Sequence, residues 1–225
     1  MKNKIVKLIP LLGILSVIFY FLHVILGKIF YEGYNSLAQA VSDLTASNSP
    51  SRNIARLFSL LYGICSASFS IGFFAYLKNK INKTVTVSSF IFCLMNTISF
   101  LGYTFFPLSE SGYAGAFQDK MHMVVTVFVV LSTIISLVLF SIGFFRVIGH
   151  KWLGIVSLSA LLILMTGAML INLVPKEYFG FAERINVYTI IIYTGILSLW
   201  MYKYIKKYIS TINIRNSHKP NGVIN

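Results

Sequence analysis

Acidic residues are scarce in this chain: six Asp and Glu stand against 19 Lys and Arg in 225 residues, and charged residues of either sign make up only 11%. A soluble domain carries about 25% charged residues, so a water-soluble globule is excluded. Cysteine is nearly absent too. Cys65 and Cys93 both fall inside apolar runs, with no CxxC and no Cys/His cluster, which excludes a disulfide framework and a redox motif. No phosphate-binding glycine loop, no GxSxG elbow and no HExxH occurs. No cofactor is therefore assigned. The formal charge of +13 does not make a nucleic-acid site, because the basic residues flank apolar spans instead of gathering on one soluble face.

What the chain has in abundance is long hydrophobic runs, with 56% hydrophobic residues. A bilayer core needs about 20 apolar residues per helix. Six spans meet that length: Leu8–Phe30, Leu57–Leu77, Val85–Phe106, Met121–Phe145, Trp152–Val174 and Val187–Tyr204. The first follows Lys2, Lys4 and Lys7 as a signal peptide would, but it is too long for a signal h-region and lacks an A-x-A site, so it reads as a retained anchor. The reading is an all-α integral membrane protein, a six-transmembrane-helix bundle over residues 1–207 with a basic polar tail over 208–225.

Charge orients it. Glu32, Asp43, Glu110, Asp119, Glu177 and Glu183 lie only in the segments after the first, third and fifth spans, whereas 13 of the 19 Lys and Arg sit in the N-terminus, the even-numbered connections and the tail. Lys/Arg excess marks the cytoplasmic face. Both termini are expected in the cytoplasm, the chain in the cell membrane as a multi-pass protein, and every carboxylate at the outer surface or in the outer ends of the spans. Tyr31, Tyr34, Tyr103, Tyr113 and Tyr178 fit an outer interfacial belt. Gly63, Ser66, Ala67 and Ser70 share a face of the second span, and small residues there predict close packing on a neighbour. Asn96 and Asn172 predict buried amides that hold helices together.

The outer segments carry the candidate chemistry. In the first outer loop Leu37, Val41 and Leu44 recur at i, i+4 and i+7, which reads as a short amphipathic helix at the interface or folded over the bundle. Asp119 and His122 open the fourth span on one helical face, where they form a general-base pair, a proton relay or a plain helix-end arrangement. Glu183-Arg184 precedes the sixth span, and Arg52 and Arg56 the second; an ion-pair network with Asp43, Asp119 or Glu177 is the reading preferred over an anionic-headgroup site. The candidate cluster is Asp43, Asp119, His122, Glu183 and Arg184. No metal is assigned; His23, inside the first span and expected to face the bundle, is a weak third ligand beside His122 and Asp119.

The stretch Gly33-Tyr34-Asn35-Ser36-Leu37-Ala38-Gln39-Ala40-Val41-Ser42-Asp43-Leu44 with Ser49-Pro50 resembles a bacterial and archaeal membrane family catalogued as domain of unknown function 998. Phe106-Pro107 followed by Asp119 and His122, and Phe181-Ala182-Glu183-Arg184, are similar to it as well. The resemblance spans nearly the whole chain except the tail. Asp43 and Thr45 stand where the family more usually has a glutamate and a glycine. The resemblance implies six helices and an outward polar cluster, and no reaction. Three functions stay open: binding or moving a lipid or other amphiphile through an outward-facing polar pocket, hydrolysis by Asp119 and His122, or service as a non-catalytic accessory subunit. Expected partners are membrane lipids and a membrane-protein partner or second copy, not nucleic acid.

Overall fold

The computed structural model describes the backbone of residues 2–217 and the side chains of residues 6–207; His218 and the rest of the tail lie outside the described residues. Its six α-helices are α1 (Lys2–Ile29), α2 (Arg52–Leu77), α3 (Lys83–Phe105), α4 (Phe117–Phe145), α5 (Lys151–Leu173) and α6 (Phe179–Ser217). No strand occurs among the described residues. All six helices are long and apolar enough to cross a membrane. The expected spans fall within these helices to within a residue at their ends, and α6 runs on through Ser217, so the first ten residues assigned to the tail continue that helix.

Each helix packs on its neighbours in sequence, and α6 closes back onto α1. The bundle has an inside and an outside of similar apolarity. Phe128, Leu131 and Leu162 point outward and are more than half exposed, as lipid-facing side chains must be. Inward, Phe73 of α2 meets Phe92 of α3, Phe140 of α4 and Trp200 of α6, with ring centroids 6.1–6.5 Å apart. These tilted aromatic contacts plug the half of the bundle nearest the even-numbered turns. A smaller cluster, built on Tyr20, Val24, Leu44, Ala55 and Ile191, fills the other half.

Lipid tails are as apolar as leucine, so helix association must come from close packing and polar bonds. The helix interfaces use serine for the latter. Ser66 of α2 donates to the Asn96 side chain of α3. Ser88 donates to the Ser136 carbonyl at 2.7 Å, and Ser141 to the Gly154 carbonyl at 3.2 Å. Ser157 and Tyr193 share a 2.8 Å bond between α5 and α6, and Ser198 donates to the Pro10 carbonyl of α1. The small-residue face of α2 packs on α3 as expected: Gly63, Ser66, Ala67 and Ser70 are buried, and a Cβ on Gly63 would strike Phe100. Asn96 is buried between helices. Asn172 is not; it is exposed and bonds back to its own helix at Ala168.

Candidate functional site

All six carboxylates lie at one end of the bundle, with the 30–51 and 106–116 connections and the start of α6. The first connection folds over the bundle, but as a five-residue 3₁₀ turn, Val41–Thr45, and not as a longer amphipathic helix. Val41 and Leu44 are buried while Leu37 remains 50% exposed. Short polar side chains explain the difference, because they bind the amides that a helix would use. Asn35 Oδ1 accepts from Leu37 N at 3.0 Å, Gln39 Oε1 accepts from Asn35 N at 2.8 Å, and Asp43 Oδ2 accepts from Ala40 N at 2.9 Å.

The first two turns of α6 grip this connection. Glu183 Oε2 accepts from Val41 N at 2.7 Å. Arg184 donates through Nη1 to the carbonyls of Ser36, Gln39 and Gly180 at 2.6–2.8 Å, and through Nη2 to the Tyr34 hydroxyl at 2.5 Å. Tyr34 in turn donates to the Ala40 carbonyl at 2.6 Å. Tyr34 is therefore buried under the loop and does not sit in an interfacial belt. Burial pushes its phenol well above the usual tyrosine range, against the pull of the adjacent guanidinium. Gly180 makes this docking possible, since a Cβ there would collide with the Gln39 carbonyl.

Carboxylates also tie the two connections together. Asp43 Oδ1 accepts from Gly112 N at 2.9 Å, and Asn48 Oδ1 accepts from Ser111 N at 3.1 Å. Ser47 N donates to the Leu108 carbonyl at 2.9 Å. From the other side Asp119, wholly buried, accepts from Ser109 N and Oγ at 2.7 and 2.8 Å and from Ala116 N at 3.1 Å. The bond to Ala116 returns from the third helical residue to the N-cap, the reciprocal half of a capping box. Asp43 and Asp119 thus do the same work twice: each caps its own turn and reaches across to hold residues 109–112.

The candidate residues are gathered at one end, but they meet through the backbone and not one another. The ion-pair network expected of Arg184 is a set of bonds to carbonyls, and the carboxylates take N–H groups and a serine. Asp119 and His122 share no hydrogen bond. His122 Nδ1 lies 2.8 Å from the Phe106 carbonyl, and its ring packs on Tyr103 at 4.8 Å between centroids. His23, His122 and Asp119 do not form a ligand set; among the described residues no three His, Cys, Asp or Glu side chains could hold a metal ion.

His23 has a different environment. It lies on α1 one turn deeper than Gly27, which packs beneath Leu44 of the 3₁₀ turn. It is 5% exposed, and neither ring nitrogen has a hydrogen-bond partner among the described residues. Its ring meets Tyr20 edge-on at 5.7 Å, and Tyr20 meets Tyr62 of α2 at 5.0 Å and Tyr188 of α6 at 6.3 Å. An aromatic and polar layer therefore lies directly under the cap. The sequence marks His23 as facing inward, but the tyrosines around it, Ser109, Gly112 and Gly180 were missed. Tyr34, Asn35, Ser36, Gln39 and Ala40 lay inside the motif stretch from Gly33 to Leu44, but nothing in it marked them as partners of one another or of Arg184.

The chain belongs to the family described as protein of unknown function (DUF998), whose model matches residues 14–200. That match begins inside α1 and ends in α6, so it takes in the cap, the layer beneath it and all six helices. No curated protein and no solved structure matches the chain at a significant level.

Proposed function

We propose that this member of the family is a membrane protein that binds an amphiphile, a lipid by preference, in the aromatic layer beneath the cap. The observation that carries the reading is His23. An imidazole buried without a partner costs about 1–3 kcal/mol, and a ligand hydroxyl or carbonyl at its ring nitrogens offsets that cost. Tyr20, Tyr62 and Tyr188 supply apolar ring faces for an acyl or isoprenoid chain, and their phenols supply further polar contacts. Access is through the cap, whose two connections are held by hydrogen bonds between loops and by Arg184. Hydrolysis by Asp119 and His122 is less well supported, because Asp119 is saturated by Ser109 and Ala116 and His122 faces the Phe106 carbonyl.

The orientation belongs to the same proposal: the cell membrane, with both termini in the cytoplasm and the capped end outside, follows from the Lys/Arg excess at the other end. The functional test is mass spectrometry of the protein purified in mild detergent, with the wild type expected to retain a lipid species in near-stoichiometric amount. His23→Phe keeps an aromatic ring in place of the imidazole and removes both nitrogens, so it should lose that species while remaining monodisperse. A wild type free of lipid overturns the reading and leaves the accessory-subunit alternative. Retention of the same lipid unchanged by His23→Phe shows that it is not held at His23 and overturns this site.

A further inference from the structure

The opposite end of the bundle holds a second feature, separate from the capped layer. The α2–α3 and α4–α5 turns lie side by side, joined where Asn82 donates through Nδ2 to the Gly143 carbonyl at 2.7 Å. Between them and Tyr204 of α6 is a groove of about 480 Å³, lined among others by Lys80, Asn82, Arg146, Ile148 and His150. Its side chains carry basic groups from both turns and no Asp or Glu, because every acidic side chain of the protein sits at the capped end.

His150 is set up as a donor toward this groove. Trp200 Nε1 donates to His150 Nδ1 at 3.2 Å, so Nδ1 is the acceptor and the neutral ring carries its proton on Nε2. Trp200 and Tyr204 hold the ring edge-on at 5.6 and 5.7 Å. Burial and the nearby Lys207 charge both lower the His150 pKa, which keeps this neutral tautomer in place at neutral pH. His150 is also the N-cap of α5 and makes no capping bond with its side chain, so the positive end of the α5 dipole adds to the same field. Lys80 is held with its ammonium 3.4 Å from the centre of the Tyr76 ring, in place at the groove wall. Arg146, at the C-terminus of α4, is exposed and brings a planar fork suited to two phosphate oxygens.

The rim distinguishes a lipid from a free ion. Ile148 is 93% exposed beside the cations, and Ile81 and Val147 also line the groove. Apolar side chains beside a cationic groove at a helix-turn level match a headgroup with its glycerol and first acyl carbons. We propose that this groove binds the phosphate of an anionic phospholipid headgroup, with Arg146 and His150 Nε2–H as donors to its oxygens and Lys80 supplying field. In the orientation proposed above it faces the inner leaflet, where anionic lipids are concentrated.

Trp200 reports on the site through its bond to His150. With Trp152→Phe it is the sole tryptophan, so its fluorescence can be followed in full-length protein held in phosphatidylcholine nanodiscs. Titration with short-chain phosphatidylglycerol should give a saturable shift. Arg146→Gln, with the fold checked by circular dichroism and monodispersity, should weaken that titration by about tenfold or more, as loss of a charge-assisted bond requires. Arg52→Gln, at the opposite end, should leave it unchanged. Inorganic phosphate is titrated alone as a separate arm; saturation at equal concentration overturns the lipid as the source and assigns a free anion. No saturable change with either probe, or equal weakening by Arg146→Gln and Arg52→Gln, overturns the site.

Discussion

At the scale of single residues, the capped end shows charged groups used to hold backbone. Arg184 is 9% exposed and completes four hydrogen bonds, three of them to carbonyls. Truncating it leaves those acceptors buried and unpaired, so Arg184→Met should destabilise the protein by ~3 kcal/mol or more. Arg184→Lys should recover only part of that, because an ammonium cannot reproduce the planar fork. Denaturant unfolding in detergent, followed by circular dichroism, measures both; equal stability of Arg184→Lys and wild type would show the fork to be dispensable. Asp119 makes a sharper case. A carboxylate accepts from Ser109 N, Ser109 Oγ and Ala116 N at once, whereas an amide turns an NH₂ toward one or more of those donors. Asp119→Asn is therefore expected to cost ~1–3 kcal/mol of stability, not to act as a silent loss of charge. Asp119→Asn as stable as wild type would sink this account.

Among elements, the cap is the part that sequence patterns render least well. A run with apolar residues at i, i+4 and i+7 folds as a 3₁₀ turn because Asn35, Gln39 and Asp43 take the local amides, and because Val41 and Gln39 have partners on α6. Docking depends on close approach at Gly180. Gly180→Ala places a methyl against the Gln39 carbonyl and should lift the cap without unfolding the helices. Hydrogen exchange should then accelerate at residues 36–46 and stay slow in α2–α5. Uniform acceleration throughout would mean that the cap and bundle unfold as one unit. Gly112 plays the matching part in the other connection: its φ of 84° lies in the left-handed region, and its N–H is the one Asp43 holds.

For the molecule as a whole, the capped end carries six Asp and Glu against six Lys and Arg, whereas the other end carries Lys and Arg and no Asp or Glu. The topology proposed from that asymmetry is open to cysteine labelling in a Cys65→Ser/Cys93→Ser background. Asn48, Glu110 and Glu177 are exposed at the capped end, and Asn79 and Ile148 at the other. Ser49 is unsuitable, being buried against Ser51. Cysteines at the first three positions should react with an impermeant reagent in intact cells, and those at the last two only after permeabilisation. Labelling of Asn79→Cys in intact cells at the rate of Asn48→Cys would reverse the orientation. The aromatic plug of Phe73, Phe92, Phe140 and Trp200 bears on mechanism at this scale too. It lies between the capped layer and the basic groove, so the two proposed sites sit at opposite ends of the bundle.

The sequence by itself determined the spans, their number, the even and odd sides and the gathering of carboxylates at one end. Each of these follows from runs of about 20 apolar residues and from where charge interrupts them, which are local properties of the chain. The small-residue face of α2 was legible for the same reason: helical spacing alone puts Gly63, Ser66, Ala67 and Ser70 together. Tertiary structure alone decided what the polar residues do. Nothing in spacing tells whether Asp119 meets His122 or Ser109, whether Arg184 pairs with a carboxylate or with carbonyls 145 and 148 residues away, or that His23 has no hydrogen-bond partner among the described residues. Those outcomes depend on which backbone groups the folded loops leave unsatisfied, and a hydrogen bond forms with whichever group is brought within 3 Å, however far off it lies in the chain.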